Sequence, residues 1–347
     1  MNYGAELLSQ DIKDFINSEN VVIDVRSSSE FEQGHIPGAI NVPLLNNDQR
    51  REVGILYKKE GREAAVQKGF ELAGPSFHEI IQEIKKLSAG SKCFLYCWRG
   101  GMRSEIVQWM VNISGIPAIR LEGGYKAFRT WVLEMLEQPI NLIVLGGKTG
   151  SGKTEILHQL RKKKEQVIDL EGLASHKGSA FGSLGQLPQP TNQMFENLIA
   201  VNISILNLSN KIWIENESRS IGKCVLPNTL FDSIRRSDVV EVDPGYETRF
   251  SRIKREYGCF DHNLLVECTL KIKKRLGPNK LKIAVNFLEE GDFDNWLKII
   301  LEYYDKQYTF SGNLRDSETR FIKLDLSELN EIEYAEHLIK KTKNIFS

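Results

Sequence analysis

The stretch Asn141-Leu142-Ile143-Val144-Leu145-Gly146-Gly147-Lys148-Thr149-Gly150-Ser151-Gly152-Lys153-Thr154 decides the fold. An apolar run with β-branched residues reads as a buried strand. It leads into a glycine-rich loop and then into Glu155 to Lys164, which reads as a helix. From Gly147 to Thr154 the chain matches the phosphate-binding loop pattern in full. Gly147, Gly150 and Gly152 let the backbone wrap an anion, and the amides of residues 148–154 point at it. Lys153 reaches the outer phosphate, Thr154 is placed to ligate Mg²⁺, and the helix dipole adds to the attraction. Strand, loop and helix in this order call for an α/β domain of the P-loop NTPase kind.

Working outward, Glu134 to Pro139 is polar and ends in proline, which makes it a linker. The expected division is therefore residues 1–137 and residues 138–347. In the second part, further strands are expected at Gln166–Leu170, Lys211–Glu215, Asp238–Val242 and Phe321–Leu326. Asp169, Glu171, Glu215 and Glu217 fall at strand ends, where a parallel sheet opens its ligand crevice. One of Glu215 and Glu217 is expected to hold Mg²⁺ through water, although no metal-ligand set is defined. From Tyr246 on the chain reads as helical, with basic runs that include Arg249, Arg252, Lys273, Lys274 and Arg275. Such runs usually form solvated faces. Interleaved with tyrosines in one domain, these are expected to contact RNA.

The first part centres on Tyr96-Cys97-Trp98-Arg99-Gly100-Gly101-Met102-Arg103-Ser104. A thiol ends the apolar run Cys93 to Tyr96, two arginines and the pair Gly100-Gly101 follow, and a helix comes next. A strand, tight loop and helix N-terminus surround the sulfur with N–H groups, which favours the nucleophilic thiolate and holds an anion against it. Cys97, five residues and Arg103 make a seven-residue ring, the spacing also found in cysteine phosphatases. No general acid for phosphate-ester cleavage stands out, and the ring is read as room for a phosphate-bearing donor paired with Arg99 and Arg103. Upstream, Val21-Val22-Ile23-Asp24-Val25 reads as a strand, with Asp24 and Arg26 able to tie the neighbouring loops together. Residues 44–92 form a polar, glycine-punctuated insertion of modest helical periodicity.

Composition limits the partners. The 347 residues carry a formal net charge of zero, so any nucleic-acid footprint is a local patch. No apolar run approaches the ~18 residues of a membrane span, so no membrane partner is expected. Five cysteines without framework spacing, and an N-terminal stretch from Met1 to Asp14 without signal-peptide character, place the protein in the cytoplasm.

Residues 21–43 resemble the entry motif of a rhodanese domain, D-V-R-x-x-x-E-F-x-x-G-H-I-P-G-A-I-N-V-P. The Cys97 loop then stands where a rhodanese active-site loop belongs, and Glu122-Gly123-Gly124-Tyr125 resembles the closing turn. A rhodanese-like parallel-sheet domain followed by a P-loop domain with a helical C-terminal part resembles the tRNA 2-selenouridine synthase family. The family-like stretches include Glu122 to Ala127, Asp169 to Gly182 and Trp213 to Gly222. The resemblance implies a two-step reaction on the wobble uridine of tRNA. The sulfur of 2-thiouridine is first alkylated by geranyl diphosphate, held at the phosphate loop. Selenium from selenophosphate then replaces it by way of Cys97, as an S-selanylcysteine. It implies Arg99 and Arg103 as oxyanion partners, and Asp24, Arg26, Gly100 and Gly101 as support. The partners implied are thiolated tRNA and a selenophosphate-producing enzyme, with no tightly bound cofactor. Two other readings stay open: an ATP-dependent tRNA sulfurtransferase, and a redox-sensing protein that binds RNA or nucleotide.

Overall fold

A computed structural model describes residues 7–9, 11–16, 19–312 and 319–343. The chain divides into two compact units, one of Met1–Met135 with Gln193–Val201, the other of Leu136–Asn192 with Asn202–Ser347.

The first unit is built on five strands: β1 (Leu7–Ser9), β2 (Val22–Asp24), β3 (Ile40–Asn41), β4 (Cys93–Tyr96) and β5 (Ala118–Leu121). They run in the order β1-β5-β4-β2-β3, and every neighbouring pair is parallel. Its helices are α1 (Ile12–Ile16), α2 (Ser28–Gln33), α3 (Asn47–Glu60), α4 (Arg62–Ala73), α5 (Phe77–Ser88), α6 (Met102–Ile113) and α7 (Gly124–Leu136). Strands β2 and β4 are buried throughout, as in a sheet covered on both faces; β4 is apolar along its length and β2 ends in the buried Asp24. In register, Asp24 lies opposite Tyr96 and Asn41, so the ends of β2 and β4 come out side by side. The insertion at 44–92 is far more ordered than its polar composition indicated. A capping box starts α3, with Gln49 N donating to Asn46 Oδ1 and Asn46 N to Gln49 Oε1, both at 2.9 Å. Leu44, Leu45, Ala73, Ile80 and Ile84 turn this insertion's apolar side onto Val107, Met110 and Val111 of α6.

The second unit has a sheet in the order β12-β11-β6-β8-β7, again all parallel. Its strands are β6 (Leu142–Gly146), β7 (Gln166–Ile168), β8 (Ile212–Glu215), β11 (Val239–Asp243) and β12 (Phe321–Asp325). A short antiparallel hairpin joins β9 (Ser220–Ile221) to β10 (Cys224–Val225). The fully buried β6 is central, so the phosphate loop leaves the middle of the sheet. The helices are α8 (Lys153–Lys162), α9 (Leu170–Ala174), α10 (Asn192–Ser204), α11 (Asn228–Arg236), α12 (Tyr246–Tyr257), α13 (His262–Lys271), α14 (Lys273–Leu276), α15 (Pro278–Glu289), α16 (Phe293–Gly312) and α17 (Tyr334–Lys343). The later helices carry their own core around Phe181, Trp296, Leu297 and Leu301. The buried indole N–H of Trp296 is satisfied by Thr269 Oγ1 at 3.1 Å.

The division differs from a single cut at residue 137. Residues 193–201 of α10 group with the first unit. The reason is a buried polar knot: fully buried Asn197 donates to His35 O (2.9 Å) and Tyr125 Oη (2.8 Å). Arg129 in turn bonds Asn197 Oδ1 and Glu196, both at 2.5 Å. Nothing in the apolar pattern of α10 announces that affiliation.

Candidate active sites

Cys97 follows β4 directly, and the residue is almost wholly covered (3% exposed). Ser104, in the first turn of α6, donates its hydroxyl to Cys97 Sγ at 3.2 Å, and the thiol lies 3.6 Å from Gly101 O. The loop is pinned from the far side by the start of α7, where Tyr125 N donates to Cys97 O (2.8 Å) and Lys126 N to Trp98 O (2.9 Å). This approach demands glycine at 124: with φ +56°, a Cβ there would sit 2.3 Å from Cys97 O.

The two arginines of the ring are placed differently. Arg99 is exposed. Arg103 is held by Glu30 of α2 through two bonds, Nη1–Oε2 at 2.6 Å and Nη2–Oε1 at 3.3 Å. Burial works to raise the Glu30 pKa, but the bond and charge of Arg103 outweigh it and keep the carboxyl below its usual range. Asp24 and Arg26 are not a surface pair. Both are fully buried, joined at 2.5 Å, and Arg26 also donates to Gly34 O at 2.8 Å while its guanidinium lies 3.9 Å over the Tyr125 ring. They act as a girder under the loop, and removing either partner leaves a buried charge alone.

At the second site, Lys153 opens α8 and folds its ammonium back to Gly147 O at 3.1 Å. Gly147, Gly152, Lys153 and Thr154 line a cavity of about 230 Å³ together with Glu171, Glu217 and Arg252. Thr154 Oγ1 donates to Glu171 Oε2 at 3.0 Å. Burial, and then the charge of Glu171, push the Glu217 carboxyl up to about 8. Glu171 is raised too, by burial first, against the pull of Lys153. Two acids thus face one another beside a hydroxyl and an ammonium.

Of the four carboxylates expected at this crevice, two are there and two are not. Asp169 caps α9, accepting from Gly172 N at 2.8 Å, and pairs with His158 Nε2 at 2.8 Å. Glu215 is fully buried at the end of β8 and accepts from Leu170 N at 2.6 Å. Burial, and then three neighbouring carboxylates, push its pKa well above the usual carboxylate range. Both are spent on positioning α9, which leaves Glu171 and Glu217 as the candidates for a metal. Among the described residues no cluster of three or more His, Cys, Asp or Glu forms a metal cage. A Mg²⁺ fits here only in the P-loop manner, on Thr154, a carboxylate and the ligand's own phosphates.

The expected RNA contacts divide as well. Arg249 and Arg252 are 3% and 5% exposed. Arg249 Nε donates to Thr149 O (2.9 Å) and its guanidinium grips Asp305. Arg252 donates to Gly150 O (2.6 Å) and pairs with Glu331 at 3.0 Å. They are buried behind the phosphate loop as donors to its Thr149 and Gly150 carbonyls, and so are not on an exposed RNA face. Lys273, Lys274 and Arg275 on α14 are exposed.

Comparison with known proteins settles the family. Residues 140–337 match the tRNA 2-selenouridine synthase AAA domain, and residues 8–130 match the rhodanese-like domain. A tRNA 2-selenouridine synthase of Pseudomonas fluorescens is 34% identical over 90% of this chain and 93% of its own. One from Sulfurovum is 34% identical over 87% and 91%, and one from Nitrosomonas europaea is 39% identical over 69% and 64%. The chain belongs to the tRNA 2-selenouridine synthase family.

Within this synthase the structure adds a residue that the sequence reading passed over. Arg120 of β5 is buried, donates Nη1 to Gly100 O, and bonds Glu105 Oε1 at 2.9 Å and Gln108 Oε1 at 3.3 Å. It braces the Cys97 loop as Arg249 and Arg252 brace the phosphate loop. An arginine in an otherwise apolar strand, Ala118-Ile119-Arg120-Leu121, was the available signal. Among the described residues no helix is long and apolar enough to cross a membrane.

Proposed function

We propose that the enzyme converts wobble 2-thiouridine of tRNA to 2-selenouridine in two steps, one at each loop. The reading rests on the family membership, and on a buried thiol in an anion-holding loop occurring in one chain with a complete phosphate cradle.

In the first step the thiocarbonyl sulfur attacks C1 of geranyl diphosphate. The carbon–oxygen bond breaks and the diphosphate leaves against Lys153, Arg252 and the loop amides. The base loses its N3 proton, so the S-geranyl product is neutral. Mg²⁺ on Thr154 and Glu171 or Glu217 would neutralise further diphosphate charge. In the second step the Se–P bond of selenophosphate is hydrolysed to phosphate, and the selenide released displaces a cellular thiol from a mixed disulfide on Cys97, which serves as the two-electron oxidant and leaves terminal selenium on Cys97. That selenium attacks C2 of the activated base. Geranylthiolate leaves and takes a proton, and a cellular thiol cleaves the remaining Se–S bond, freeing the selenocarbonyl and restoring the mixed disulfide. Alkylation is what makes this displacement feasible, because it turns a thiocarbonyl sulfur into a leaving group. Arg99, exposed beside the loop, serves the phosphate-bearing donor, and Arg103 supports it through its Glu30 anchor. Lys273, Lys274 and Arg275 contact the tRNA backbone. The setting is the cytoplasm, where thiolated tRNA meets a selenophosphate-producing enzyme.

Nucleoside mass spectrometry tests this. Thiolated tRNA with geranyl diphosphate and selenophosphate should give the S-geranyl and then the seleno nucleoside. Cys97→Ala should stop only the second product. Loss of both products together in that variant, or ATP consumption in place of prenyl transfer, would overturn the assignment.

A further inference from the structure

A cavity of about 350 Å³ lies in the first unit, beside the Cys97 loop. The insertion helices α3 and α4 and the start of α5 wall one side, and the first turns of α6 wall the other. Met102 and Arg103 therefore belong at once to the active-site ring and to the cavity wall. Its surface is apolar, with Leu45, Val66, Ala73, Phe77 and Ile106 among its lining, and the charged lining residues are Arg62 and Arg103. Tyr57 and Phe70, also lining residues, are 59% and 49% exposed.

This open-mouthed space has the size of a small-molecule site, at the low end of the roughly 300–1,000 Å³ range. An anionic donor gains nothing in an apolar chamber, and neither does a uracil edge that needs hydrogen bonds. The arginine at the loop side marks the polar end, and the apolar walls mark where an uncharged chain goes.

We propose that this cavity seats the geranyl chain of the S-alkylated base during selenium transfer, and so gives the Cys97 site its preference for a ten-carbon alkyl leaving group. The inference rests on the two-step reading above and names the subsite that reading leaves open. As the C2–Se bond forms and the C2–S bond breaks, the chain stays seated and the departing thiolate, once protonated, leaves as geranylthiol. The insertion at 44–92 thereby acquires a purpose, since it supplies most of the cavity wall.

Gly69 of α4 gives the test a handle. It lines the cavity, and a Cβ built there meets nothing within 4 Å, so Gly69→Phe puts a ring into the chamber without displacing backbone. Selenation is measured by mass spectrometry on tRNA anticodon stem-loops that carry S-geranyl or S-methyl 2-thiouridine. In the unaltered enzyme the S-geranyl substrate should react at least about tenfold faster, and in Gly69→Phe, with its melting temperature kept, that ratio should collapse towards one. An unchanged ratio, or equal loss on both substrates, overturns the inference. The second readout needs no turnover. A diazirine-bearing geranylthiol photolabels the full-length enzyme, and the adducts are mapped by peptide. Adducts within 44–77 or 102–106 support the cavity, and adducts solely at the phosphate loop reject it. If neither alkylated substrate reacts while the label still lands in the cavity, the two-step reading fails and the subsite stands.

Discussion

The Cys97 loop and the phosphate loop are the same device built twice. Each leaves a buried parallel strand, turns on glycine and enters a helix at its N-terminus, the place in a fold that suits an anion. They differ in where their braces come from. The phosphate loop is gripped through Thr149 O and Gly150 O by Arg249 and Arg252, about a hundred residues further on. The Cys97 loop is braced by neighbours in its own small sheet: Arg120 from β5, the Tyr125 amide from α7 and the Asp24–Arg26 girder from β2. In both loops buried arginines take up backbone carbonyls, Gly100 O by Arg120, and Thr149 O and Gly150 O by Arg249 and Arg252.

The sharpest way to break the comparison is to remove each reacting group. Cys97→Ser should cut selenation of pre-geranylated RNA by at least about a thousandfold and leave geranyl transfer intact. Lys153→Ala should do the reverse, with a loss of about a hundredfold in geranyl transfer. Next come the braces. Arg120→Met orphans Gly100 O and frees Glu105, and should cost about 2–4 kcal/mol of stability, read by urea unfolding. It should also slow selenation more than tenfold and leave geranyl transfer within about twofold, since the other loop has its own supports.

Much of this plan was legible beforehand, and the parts that were not share one cause. Both loops, their strands and the all-parallel α/β architecture follow from local pattern: apolar run, glycines, helix. Arg249 and Arg252 read as an RNA patch because a run of basic residues on a helix looks alike whether it faces solvent or a loop's carbonyls. Asp169 and Glu215 read as crevice carboxylates because a carboxylate at a strand end is equally suited to bonding the amides at a helix start, as both do at α9. The partner of Asp169, Gly172 N, lies three residues on, but only folding brings Leu170 N to Glu215 and Arg249 to Thr149. Pairing across a hundred residues leaves no periodic trace.

Two smaller effects sharpen the contrast further. Glu217 titrates near 4.3 when unfolded and at about 8 in the folded protein. Between those values the folded protein keeps a proton that the unfolded chain has lost, so ligand-free stability falls as pH rises and levels off above about 8. Glu217→Gln should flatten that slope, which melting temperatures across pH 5–9 will show; an unchanged slope would mean that the proton sits elsewhere. The smallest change is expected from Lys273→Ala, Lys274→Ala and Arg275→Ala combined. Filter binding should show weaker tRNA affinity and a salt slope shallower by about two to three units. A slope equal to that of the unaltered enzyme would remove α14 from the RNA face.

The polar knot at Asn197 carries a lesson for dissection. Because 193–201 belong with the first unit, the chain crosses the divide three times, after 135, after 192 and after 201. A fragment ending at 137 would lack the two side-chain amides that serve Tyr125 Oη, from Gln193 and Asn197. It would expose a ring that supports Arg26, and through it the thiol loop. Scissors applied at the linker would sever a first domain from part of itself, so the two chemistries are inherited as one indivisible length of chain.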